Sequence, residues 1–152
     1  MAEPGSSGPP RDIGDGIEID DDPERVDVDE VHRFLSEEAY WVPGRSRETI
    51  EMLVRESTRV VAAYEGDRLV GFARVVSDRT NFAWLRDVFV LESHRGRGIG
   101  TELVREAVEH EPERDLAWYL STRDARGLYE RVGFRPADPD RVMTRPRARL
   151  HA

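Results

Sequence analysis

Arg95-Gly96-Arg97-Gly98-Ile99-Gly100-Thr101 is the stretch of this chain whose residue types and spacing point most directly to chemistry. Three glycines in five residues let the backbone curl tightly just before apolar residues that recur at helical spacing. Such a turn exposes several unpaired N–H groups at a helix N-terminus, where the helix dipole also favours negative charge. Arg95 and Arg97 add positive charge where an anion would sit. A phosphate or pyrophosphate is the ligand that suits this arrangement. A dinucleotide fingerprint does not, because the third glycine position holds Thr101 and the turn falls about two thirds along the chain. The bland alternative is a tight loop carrying solvated arginines.

Composition removes other chemistries. All 23 basic residues are Arg, which rules out a Walker phosphate loop, a Schiff-base lysine and a pyridoxal-type mechanism. Cys is absent, so thiol nucleophiles, disulfides and Cys-containing zinc sites are excluded, and the four His show no metal-ligand spacing. No apolar run approaches the ~18 residues of a membrane span and the N-terminus lacks a signal-peptide core, so a soluble, cytoplasmic protein is expected. The net charge of -8 is unevenly placed: residues 1–30 hold 11 acids and 2 Arg, and the rest holds 20 acids and 21 Arg. The acidity belongs to a leader, and no basic stripe with interleaved aromatics marks a nucleic-acid surface.

The elements that position the turn follow from periodicity. With 152 residues, 38% of them hydrophobic, the chain can build one core. The Pro-, Gly- and Ser-rich leader with its dense acids predicts disorder over 1–15, a single domain over 16–147 and a tail at 148–152. Residues 17–19 read as a short strand, and Asp27 and Ser46 as N-caps of two helices separated by Pro43-Gly44. Strands are expected over 59–64 and 69–76, joined by the turn Glu65-Gly66-Asp67-Arg68, and then over 83–91. A helix over 98–110, a largely buried strand over 116–121, a helix over 124–132 stopped by Gly133, and a last strand over 141–144 complete the order. That order is an α+β domain with a mixed sheet.

A second motif joins the first. Val90 and the Arg95–Gly100 turn resemble the acyl-coenzyme A signature of the Gcn5-related N-acetyltransferases (GNAT). Ala125-Arg126-Gly127-Leu128-Tyr129-Glu130-Arg131-Val132-Gly133-Phe134 resembles that family's second signature, Ala-x-x-Leu-Tyr-x-x-x-Gly-Phe. The two stand in the family's order and separation, and the resemblance covers about residues 17–145. It implies the layered α/β/α fold with a mixed, mostly antiparallel sheet. Leu85-Arg86-Asp87-Val88-Phe89-Val90 also looks like the small-amine branch that includes spermidine acetyltransferases.

The resemblance implies roles. Backbone groups of Val88 and Val90 pair with the pantetheine arm as an added strand would. N–H groups from Arg95 through Gly96, Arg97, Gly98 and Gly100 to Thr101 hold the pyrophosphate. Tyr129 lies near the sulfur and protonates the departing thiolate, although its place on an apolar stripe also suits a core tyrosine. The family often has Asn where Thr122 stands, a contact that Thr replaces in part, and often Pro where Glu92 stands.

An amine must lose its proton before attacking a thioester, so a base or a water relay is needed. Asp87 matches an acidic position of the small-amine branch and is the first candidate to bind a cationic amine or relay its proton, with an ion pair to an Arg as the alternative. Its alternation groups it with Leu85 and Phe89 unless a bulge intervenes. Glu92 is a second candidate. Tyr40, Trp41 and Trp84 are candidates to line an acceptor pocket, with simple packing as the alternative, and Arg45, where the family's acceptor loop lies, would suit a carboxylate-bearing substrate, with a helix-cap surface charge as the alternative.

The expected activity is direct, acetyl-CoA-dependent acetylation of a primary amine, with a small-molecule acceptor first. The alternatives are acetylation of a protein N-terminus or lysine, or a non-catalytic acyl-coenzyme A-binding module. Dimers are common in the family, so a homodimer is compatible with the resemblance.

Overall fold

The computed structural model describes residues 7–37 and 44–146. Ile13 and Ile17 flank Gly14-Asp15-Gly16, whose positive φ angles of 93°, 55° and 76° fold the chain back on itself. Strand β1 (Arg11–Gly14) therefore pairs antiparallel with β2 (Ile17–Asp20). The expectation of disorder to about residue 15 is corrected for this stretch. Its ordering entropy is offset by the ladder and by Arg11, which lies 3.0 Å from Glu106 and 3.6 Å from Glu102.

Helix α1 (Val28–Glu37) starts where Asp27 accepts the Glu30 N–H at 3.1 Å. Helix α2 (Arg47–Glu56) starts where Ser46 Oγ accepts the Thr49 N–H at 3.1 Å. Both caps satisfy donors that a helix leaves orphaned. Strands β3 (Arg59–Glu65) and β4 (Arg68–Ser77) form the expected hairpin, and both are buried at nearly every position because both faces are covered. Strand β5 (Phe82–Val90) returns beside β4, and α3 (Ile99–Val108) leads to β6 (Ala117–Tyr119) and α4 (Arg126–Glu130).

The strands form one sheet in the order β1-β2-β3-β4-β5-β6, antiparallel except for β5–β6. Phe72 stands opposite Phe89, whose ring stacks 4.1 Å from Phe34 of α1, so that face of β4 and β5 looks toward α1. Gly71 looks the other way: a Cβ there would lie 3.4 Å from Leu103 of α3. The sheet is thus held between α1 and α3, the α+β architecture expected. Among the described residues, no helix is long and apolar enough to cross a membrane.

The C-terminal third departs from the expectations. β6 is three residues long and half-exposed rather than largely buried, because among the described residues no strand flanks its outer side. The strand expected over 141–144 does not form. Asp138 instead closes a turn, its carbonyl accepting the Arg141 and Val142 N–H groups at 3.0 and 3.1 Å, and Met143 is 94% exposed. Residues 147–152, which include the expected tail, lie outside the described residues.

Candidate active site

Gly96 and Gly98 have φ of 78° and 80°, a region that a side chain strains. Gly98 is the N-cap of α3 and brings no side chain to the N–H groups of the first helical turn. A Cβ at Gly98 would meet nothing within 4 Å, so the space before those donors is open. Gly100 serves a different need: a Cβ there would come 2.9 Å from Leu128, so its absence lets α4 approach α3. Arg95 donates from Nε to the Val90 carbonyl at 3.1 Å. Arg97 donates to the Asp15 carbonyl at 3.4 Å and lies 3.9 Å from Glu65, which ties the turn to the N-terminal hairpin. Thr101 falls within the first turn of α3.

The same end of the sheet splits open. The β5–β6 ladder consists of Phe82–Ala117, Ala83–Trp118 and Trp84–Tyr119 and stops there, while β5 continues to Val90. A cleft of about 580 Å³ fills the gap, lined among others by Trp84, Asp87, Val88, Thr122 and Tyr129. Burial, reinforced by the negative charge of Asp124, pushes the Tyr129 hydroxyl up to about 12. Its ring meets Phe134 edge-on at 6.0 Å. Thr122 Oγ1 accepts the Ala125 N–H at 3.1 Å and so helps launch α4.

At the floor of the cleft β5 is bulged. Phe72 pairs with Phe89 and Arg74 with Arg86, so Ala73 alone opposes both Asp87 and Val88. Asp87 absorbs the irregularity at φ 54°. Directly opposed residues share a face, so Arg74 and Arg86 look toward α1 with Phe89. Leu85, opposite Val75, looks toward α3 with Gly71. The alternation that grouped Asp87 with Leu85 and Phe89 is therefore broken, and Asp87 goes with Phe89.

The Asp87 carboxylate is fully engaged on that face. Arg74 Nε donates to it at 2.9 Å, and Arg45 donates from both terminal nitrogens at 2.8 and 3.2 Å. Burial alone would raise the Asp87 carboxyl, but the Arg45 hydrogen bonds and the charges of Arg45 and Arg74 hold it below the ordinary carboxylate value. Two residues read separately from the sequence, one for the amine and one for a substrate carboxylate, thus bind each other. His32 and Ser36 of α1 reach the Arg45 carbonyl at 3.0 and 3.4 Å and fix its turn.

Trp84 stacks on Tyr119 with centroids 5.6 Å apart. Trp41 and Tyr40 lie outside the described residues. Glu92 is exposed in a single helical turn. Sequence reasoning missed Arg74 and Arg86; the Leu69–Val76 alternation marked a strand but gave no sign that an arginine is buried in it. It also missed a contact between neighbours, Ser93 Oγ and His94 Nδ1 at 2.7 Å, with His94 Nε2 3.3 Å from Glu65. Among the described residues no group of three or more potential ligands could hold a metal.

An open helix N-terminus beside a split in a mixed sheet is the arrangement that the resemblance to acyl-coenzyme A-dependent transferases implies, and the comparisons agree. The model of the Acetyltransferase (GNAT) family matches residues 24–134. A GNAT-family protein of Xanthomonas campestris is 36% identical over 86% of this chain and 92% of its own, with a TM-score of 0.79. The folds of an acetyltransferase of Deinococcus radiodurans (23% identity, 90% and 93% covered, TM-score 0.70) and of glucosamine-6-phosphate N-acetyltransferase from Arabidopsis thaliana (13%, 86% and 97%, 0.60) are also similar. No curated protein matches the sequence. The chain belongs to the GNAT acetyltransferase family, and acetyl-CoA is its acetyl donor.

Proposed function

We propose that the protein transfers an acetyl group directly from acetyl-CoA to a primary amine of a small molecule, with Tyr129 as the proton donor. The observation that carries this reading is the end of the β5–β6 ladder at Trp84–Tyr119, which leaves the β5 edge free beside the uncapped start of α3. Acetyl-CoA supplies an acetyl group already activated as a thioester. The N–H groups of Ile99, Gly100 and Thr101 hold its pyrophosphate, and Val88 and Val90 present backbone groups to the pantetheine arm. Arg95 releases the Val90 carbonyl and turns to the phosphates. The N–H near Val90 steadies a developing oxyanion. Tyr129, protonated throughout the neutral range, gives its proton to the departing sulfur.

Asp87 orients rather than accepts a proton. Both its oxygens accept from guanidinium groups, and its lowered pKa makes it a weak base. The amine proton therefore leaves through water. The reading is tested by following thiol release from acetyl-CoA across a panel of small primary amines and short peptides. Turnover of at least one small amine is expected. Release with no amine overturns the transferase reading, and release with peptides alone overturns its small-molecule part.

A further inference from the structure

We infer that the acceptor amine carries a carboxylate, held by Arg86 above the buried Arg45–Asp87–Arg74 group; this rests on the transferase reading above. On the face toward α1, Arg45 and Arg74 hold the one carboxylate of Asp87 and Arg86 stands opposite Arg74, so three guanidinium groups outnumber that carboxylate. An ammonium ion directed at Asp87 would have to displace Arg45 or Arg74 and leave that charge buried and unpaired, which is strongly unfavourable. An anion faces no such obstacle.

Arg86 is the member of the group free to take one. It is exposed, lines the cleft, and makes no ion pair or hydrogen bond among the described residues. The bulge decides where it points: pairing opposite Arg74 puts Arg86 on the same face, close enough for its charge to bear on Arg74. Trp84, two residues earlier on β5, shares that face and stacks on Tyr119, which stands directly opposite it. An acceptor lying there meets a guanidinium beside an aromatic wall, with Tyr129 lining the same cleft. The chemical class that fits is an α-amino acid or a similar amine with a carboxylate a few bonds from its nitrogen.

The experiment compares kcat/KM for matched pairs: phenylalanine, histidine and methionine, each against the amine left by its decarboxylation. In at least one pair the carboxylate-bearing member is favoured by roughly tenfold or more, the scale of a charge-assisted contact. Arg86→Gln brings that ratio toward one, and Arg86→Lys keeps part of it. Equal or better use of every decarboxylated amine, or a ratio that survives Arg86→Gln, overturns the inference. If none of the six releases thiol, calorimetry of the same pairs on the coenzyme A-loaded protein decides it separately from turnover. Tighter binding of a carboxylate member, lost in Arg86→Gln, upholds the inference, and equal binding overturns it.

Discussion

In the proposed reaction, Tyr129 and the departing sulfur share one environment. A phenol near 12 and a free thiol near 8.5 are poorly matched for proton transfer in water. The cleft that withholds solvent from Tyr129 withholds it equally from a thiolate formed there, and desolvation raises both acids together. The mismatch therefore narrows where the reaction takes place. Removing the hydroxyl separates catalysis from packing. Tyr129→Phe keeps the ring against Phe134 and should change stability by only about 1 kcal/mol, the scale of one hydrogen bond. Its kcat should fall roughly 100- to 10,000-fold with little change in coenzyme A affinity. Steady-state kinetics on an accepted amine, alongside urea denaturation, checks both halves. A kcat within about threefold of wild type would leave the residue with packing alone.

At the scale of elements, the start of α3 was legible because glycine at 96 and 98 answers a backbone need, a positive φ, that shows in the sequence itself. The β5 bulge was not. Alternation assumes one residue opposite one, and nothing in Arg86-Asp87-Val88 announces that two of them share a single partner. Nor could spacing reveal that Arg45 and Asp87, 42 positions apart, would meet. The legible element yields a test that avoids backbone strain as an explanation. Asn and Asp both tolerate the left-handed region better than other side chains, and both cap helices. Gly98→Asn and Gly98→Asp should thus fold alike while filling the open space before the α3 donors. Losing a charged hydrogen bond costs about 1.5–3 kcal/mol, so Asn should weaken coenzyme A binding roughly 10- to 100-fold, and Asp, which adds a like charge, further still. Calorimetry with coenzyme A measures this, and affinities unchanged in both variants would move the pyrophosphate elsewhere.

For the molecule as a whole, part of the acidity of residues 7–30 is built into the fold rather than left in solution. Asp20 takes Arg25 at 3.1 Å, and Asp21 takes Arg59 at 3.0 Å together with the Ser7 N–H at 2.9 Å. Arg59 also reaches Glu106 of α3 at 3.0 Å, and Arg11 meets the same carboxylate, so the N-terminal hairpin is fastened across the sheet to the helix that begins at the glycine turn. Composition hid this, because a Pro-, Gly- and acid-rich stretch reads as disordered when its basic partners lie far along the chain. The turn residues Gly14-Asp15-Gly16 between Ile13 and Ile17 were the overlooked sign. Deleting residues 1–16 would strip the ladder from β2, whose Ile17 and Ile19 are 2% and 3% exposed, and open a strand edge to solvent. It would also remove the carbonyl that holds Arg97 of the glycine turn. Deleting only residues 1–10 keeps β1 and gives up contacts such as the Ser7 N–H to Asp21. In urea, the shorter deletion should cost about 1–2 kcal/mol, the value of a hydrogen bond or two. The longer one should cost roughly 2–4 kcal/mol, with a higher tendency to associate. Equal midpoints for the two truncations would show that the hairpin rides on the sheet without supporting it.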